Sequence, residues 1–127
     1  MPEFREFQRV LDGEHIIAEH NGTMSREQVM LLRGDRVQSG TVMAMVTATK
    51  LWTPLDPAGP DDGRRRARGV LFHKRDARPA ADTRRAVVHL RDTDVNGKKI
   101  IWPAGLSEAD RKTQEGYLAE ERVLVRY

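Results

Sequence analysis

The 127-residue chain has no cysteine. That single absence removes disulfides, thiolate nucleophiles, iron-sulfur clusters and cysteine zinc sites together. No window approaches the roughly 18 apolar residues of a membrane span. The opening Met1-Pro2-Glu3-Phe4-Arg5-Glu6-Phe7 is charged at short intervals and lacks the apolar run of a signal peptide, so a soluble protein made in a cytoplasm is expected. Aromatics are scarce, at 6%. Between residues 53 and 91 the one aromatic is Phe72, too few to stack bases along a nucleic-acid strand.

Catalytic patterns are missing as well. The three serines, Ser25, Ser39 and Ser107, lie outside any G-x-S-x-G elbow. No G-x-G-x-x-G or P-loop is present to cradle a phosphate. The acidic pairs Asp61-Asp62 and Glu120-Glu121 sit in polar surroundings that do nothing to raise a carboxyl pKa. His15 and His20 are five apart, which does not align them on a helix face, while His73 and His89 stand beside Lys74 and Arg91. All four histidines are therefore read as solvated surface groups. No enzyme activity, metal or cofactor is expected.

What is present is a chain of 14.5 kDa, the size of one domain, able to bury roughly two-thirds of its unfolded surface. The net charge is +3, and its distribution says more than its sum. Residues 64 to 91 hold ten Lys/Arg against Asp76 and Asp82, a net of +8, while residues 1 to 63 carry −4 and residues 92 to 127 carry −1. Segments of opposed charge favour association with copies of the chain or with a charged scaffold as readily as with nucleic acid.

Alternating and β-branched stretches predict short strands at Gln28–Leu32, Thr41–Thr47, Gly69–Phe72, Ala86–Arg91 and Arg122–Arg126. In Thr41–Thr47, Val42, Ala44 and Val46 share one face and Met43, Met45 and Thr47 the other, so burial on both sides is expected. Residues 53–63 hold three of the six prolines and form a loop that no central strand can cross, and the Arg64 to Arg68 cluster is read as its exposed continuation. Residues 77–82 form a second surface connection. Asn96-Gly97 predicts a tight turn between positive-φ residues, making a hairpin into Lys99–Trp102. Pro103 stops that strand. Ser107 with Asp110 three residues on predicts a capped helix over about 107–118, with Glu108 at the positive end of its dipole.

The first 22 residues leave two readings open. Phe4, Phe7, Val10, Leu11, Ile16 and Ile17 follow a helical stripe broken by Gly13, so the segment is either an arm ordered by a partner or a strand added to the domain's own sheet.

Four features in order resemble the head decoration proteins of tailed bacteriophages, the lambda protein D type. They are Ser39-Gly40-Thr41-Val42-Met43; the Pro/Gly loop into Asp62-Gly63 and Ala67-Arg68-Gly69-Val70-Leu71; Ile100-Ile101-Trp102-Pro103 followed by a lysine-containing helix; and the closing Val123-Leu124-Val125. The likeness covers about residues 25 to 127. It implies a mostly β domain of β-clip type with one or two short helices, organised as an N-terminal capsid-binding arm over 1–22 and a β-rich decoration domain over 23–127.

The resemblance further implies a cement protein on the outside of the expanded head, assembled in the host cytoplasm as homotrimers at threefold positions. There it would bind the major capsid protein and hold the shell against the pressure of packaged DNA. In the family the arm orders on the capsid, which gives Phe4, Phe7, Val10, Ile16 and Ile17 as candidate contacts. Trp102 is read as anchoring the start of the helix in the core, with a trimer interface as the competing role for Trp102 and Pro103. The longer charged loop at Arg64 to Arg68 and the basic 73-to-85 connection depart from the family. The alternative function is a small β-barrel nucleic-acid-binding module using the Arg64 to Arg91 stretch; membrane binding is not expected, nor direct nucleic-acid binding on the first reading.

Overall fold

A computed structural model describes residues 12–19, 22–78 and 85–127. The chain is mostly β. Its elements are β1 (Ile16–Glu19), the single turn α1 (Gly22–Ser25), β2 (Arg26–Met30), β3 (Arg36–Val37), β4 (Val42–Met45), β5 (Trp52–Pro54), β6 (Gly69–Leu71), β7 (Arg75–Asp76), β8 (Arg85–His89), β9 (Thr93–Asn96), α2 (Glu108–Glu120) and β10 (Val123–Arg126).

The largest sheet has five strands in the order β2-β8-β6-β4-β5, every pair antiparallel. β4 is buried on both faces, as its composition predicts, and the sheet separates two apolar clusters. Val42 and Ala44 face Leu55, Val70, Val95, Leu118 and Val123, whereas Met43 faces Leu31, Trp52, Leu71, Ala86 and Val88. Each large side chain so buried contributes about 1.5–3 kcal/mol. Pro54 closes the edge strand β5, the position in a sheet where a missing N–H does least harm.

A second sheet, β1-β9-β10, covers the first cluster together with α2. β9 runs antiparallel to β1 and parallel to β10. This arrangement corrects the expected hairpin. The turn itself forms, with Asn96 O accepting from Lys99 N at 2.9 Å and from Ile100 N at 3.1 Å. Lys99–Trp102 cannot then pair with β9, because both edges of β9 are taken. Ile101 bridges to Thr41 instead, its N–H reaching Gly40 O at 2.8 Å. Gly97 is also outside the positive-φ glycines; what it provides is room, since a Cβ there would lie 2.5 Å from the Tyr127 ring.

Of the first 22 residues, those from 16 to 19 take the strand reading, as β1 of the domain's own sheet. Phe4, Phe7 and Val10 lie outside the described residues. β2 begins two residues ahead of the expected strand, leaving Leu31 in a lone bridge to Trp52. The small pair β3 and β7 was without a sequence signal, being two residues per strand.

α2 runs as the capping pattern predicts. Ser107 adopts extended backbone and its Oγ accepts from Asp110 N at 3.1 Å, with Glu108 and Asp110 in the first turn. Its inward face is narrow, with Gln114 and Leu118 buried.

Candidate functional site

The Arg64 to Arg68 segment is not the solvated loop its composition suggests. Arg64 makes a bidentate pair with Asp62, at 2.9 and 2.8 Å, and the Arg64 guanidinium holds the Asp62 carboxyl below its ordinary range despite partial burial. Arg65 Nε donates to Gly59 O at 2.8 Å. Arg66 pairs with Glu120 and lies 4.3 Å over the Tyr117 ring. Ala67, within the cluster, is fully buried, and Gln114 of α2 fixes the backbone on either side of Arg66, at Arg65 O and Ala67 N. Three of the arginines are thus committed to intramolecular partners, which argues against the nucleic-acid module as a use of this stretch.

The histidines are the larger surprise. His15 and His89 are fully buried, and His73 is half-buried with its Nε2 accepting from Val87 N at 3.0 Å. His20 lies outside the described residues. Burial, with the neighbouring His89, pushes His15 down to about 4. Burial also lowers His89, against the pull of Glu19, whose Oε2 lies 2.6 Å from His89 Nε2. Glu19 itself is held below the ordinary carboxylate value: burial opposes this, and hydrogen bonds from Arg26 and His89 overcome it. Among the described residues no group of His, Asp and Glu side chains is arranged to hold a metal ion. A sequence signal for His89 existed in the uninterrupted apolar run Ala86-Val87-Val88 before it and Leu90 after it, the pattern of a strand covered on both faces.

The remaining candidates are surfaces. Ile16 packs on the first apolar cluster opposite Val95, and Ile17, in the bulge of β1, is 54% exposed. Ala18, Asp94 and Leu124 form a row across the outer face of the three-stranded sheet, and Leu124 is also exposed. β1 has one strand neighbour, β9, among the described residues. Trp102 rests half-buried on the same apolar cluster as Ile16, in agreement with the anchoring role, and its Nε1 is buried without a hydrogen-bond partner among the described residues. Pro103 beside it is half-buried. On the far face of the five-stranded sheet, Val29, Met45, Trp52 and Leu90 floor an open groove of about 1040 Å³ with charged walls that include Arg85, Arg91 and Glu121.

The described surface thus combines the exposed apolar side chains Ile17 and Leu124 with a strand, β1, that has one strand neighbour among the described residues. No described helix is long and apolar enough to cross a membrane. A search of curated proteins finds no match. The model of the bacteriophage lambda head decoration protein D family matches residues 7–122, well over half of the chain, and the chain belongs to that family.

Proposed function

We propose that this protein is a cement subunit of a phage head: it binds the major capsid protein on the outside of the expanded shell as homotrimers at threefold positions and holds the shell against the pressure of packaged DNA. The family match over residues 7–122 carries this reading. The sheet architecture supports it, since capsid decoration needs strand edges and repeated contacts rather than an active site.

Two surfaces have defined tasks in it. Residues 1–22 supply the capsid contact through Phe4, Phe7, Val10 and the exposed Ile17, Ile16 being packed on the domain's own cluster, and the edge of β1 away from β9 would continue that contact with backbone hydrogen bonds. Trp102 and Pro103, both half-buried, lie at the trimer contact, where the exposed part of each packs on a neighbouring subunit. Three arms on one trimer bind with an effective concentration that makes the second and third contacts intramolecular, so each arm by itself can be weak.

The test is electron microscopy of the purified protein mixed with expanded, undecorated heads. Protrusions on the threefold axes are expected, and their loss on removal of residues 1–11. That cut spares residues 12–19, which are packed on the domain. Bare heads with the intact protein overturn the function; full decoration by the shortened protein overturns the arm.

A further inference from the structure

We propose that His15, His89 and Glu19 form an acid-sensitive latch that fastens residues 12–19 to the domain and lets them go as the pH falls. This does not rest on the capsid reading; it concerns how the root of the N-terminal segment is held in the free protein.

The geometry sets the protonation states. Ser39 Oγ donates to Phe72 O at 2.8 Å and accepts from Gly13 N at 3.0 Å. With its hydrogen so committed, it can only accept at His15 Nδ1, 3.5 Å away. His15 Nδ1 therefore carries the proton and Nε2 is a bare lone pair, buried and without a partner among the described residues. Across from it, His89 Nε2–H points at Glu19, which leaves His89 Nδ1 bare and buried in the same way. The two rings meet edge to face with centroids 6.5 Å apart. Two neutral imidazoles fit this space. Two imidazolium ions do not, because each would lose its hydration and face a like charge.

Arg26 and Arg75 act in the same sense, and Glu19 and Asp12 pull the other way. Arg26 of β2 forks onto Glu19 at 3.1 and 2.9 Å and lies 4.3 Å over the Phe72 ring, which in turn packs 5.4 Å from His89. It stabilises the Glu19 carboxylate and opposes a charge on His89. His73, next to Phe72, is lowered by burial and by Arg75, against the pull of Asp12. Its Nε2 accepts a backbone N–H and cannot take a proton without losing that bond.

Strain entering here has one easy outlet. β8 is held by β2 and β6 on its two sides, whereas β1 has β9 as its one strand neighbour among the described residues, through a register interrupted at Ile17. Opening therefore frees residues 12–19 and leaves the five-stranded sheet intact. The sign follows from the histidines: groups whose folded pKa is lowered stabilise the closed form fully above their ordinary value near 6.5, and lose that contribution as the pH falls toward about 4. Glu19, also lowered, loses its contribution in the same direction. From His15 alone, the opening equilibrium rises roughly twentyfold between pH 7 and pH 5.

Amide hydrogen exchange of the full-length protein, corrected for the pH dependence of the intrinsic rate, tests this. Between pH 7 and pH 5, protection of Ile16 to Glu19 should fall by at least about twentyfold and respond little to dilute urea, as a local opening requires, while Met43 and Val70 stay better protected and respond to urea as global unfolding does. Unchanged protection in β1, or a β1 protection and urea response equal to those of Met43 and Val70, overturns the latch. In His15→Leu, which keeps the volume and cannot titrate, the fall should shrink to the share left to His89 and Glu19; a full fall in that variant overturns the assignment. Should His15→Leu not fold, the wild-type imidazoles are titrated by NMR: a His15 midpoint below pH 5 is required, and a midpoint near 6.5 sinks the proposal.

Discussion

The side-chain amide of Gln114 lies against the backbone of Ala67, its Oε1 accepting the Ala67 N–H at 2.8 Å while its Nε2 donates to Arg65 O at 2.9 Å. A polar residue in the inward face of α2 thereby determines the course of the arginine-rich loop. Replacing it by leucine keeps most of the volume but leaves a buried N–H with no acceptor. Gln114→Leu should lower unfolding stability by about 1–3 kcal/mol, read as a reduced denaturation midpoint.

Acid should weaken the whole domain as well as its N-terminal strand. His15 is buried neutral, with its pKa down at about 4, so stability is complete above its ordinary value of 6.5 and declines as the pH falls below it. From this residue alone, urea unfolding at pH 5 should give about 2 kcal/mol less than at pH 7. Equal values at the two pH values would show that His15 is not buried neutral.

Two glycines make a matched pair of tests. Gly63 has φ +112, and a Cβ there would lie 2.2 Å from Met45 O and 2.7 Å from Thr47 Oγ1. The obstruction is backbone of the central sheet, so Gly63→Ala should cost more than about 3 kcal/mol. At Gly97 the obstruction is the exposed Tyr127 ring, which can swing aside. Gly97→Ala should cost under about 1 kcal/mol, and a thermal melt distinguishes the two.

The arginine loop should bind DNA poorly. With Arg64 on Asp62, Arg65 on Gly59 O and Arg66 on Glu120, phosphates would have to displace existing partners. Titration with duplex DNA at ~0.15 M salt should give no affinity beyond the weak non-specific range. Tight, steeply salt-dependent binding would restore the nucleic-acid reading. The Arg66 pair with Glu120 is exposed, so Arg66→Ala should change stability by less than about 1 kcal/mol.

Some elements were legible because their signals are local. The Ser107 cap and its helix, the doubly buried β4, the apolar β10 and the proline loop each follow from a few adjacent residues. β9 was missed because Thr93 and Val95 alternate with Asp94 and Asn96, a pattern half polar even on its buried side. The hairpin was misassigned for a related reason: a turn motif specifies that the chain reverses, not which neighbour occupies the strand edge.

Composition and short-range pattern alone determined that this is a cysteine-free β-rich domain with one capped helix, and the order of four motifs pointed to its family. Those properties depend on residues within a turn or two of each other. Tertiary structure decided which charges are spent and which histidines are dry. Burial of His15 and His89, and the tethering of Arg66, depend on segments 24 to 74 residues apart meeting in space: His15 with Ser39 and His89, and the loop with α2. Desolvation and ion pairing act through distance in space, a quantity that spacing along the chain does not carry.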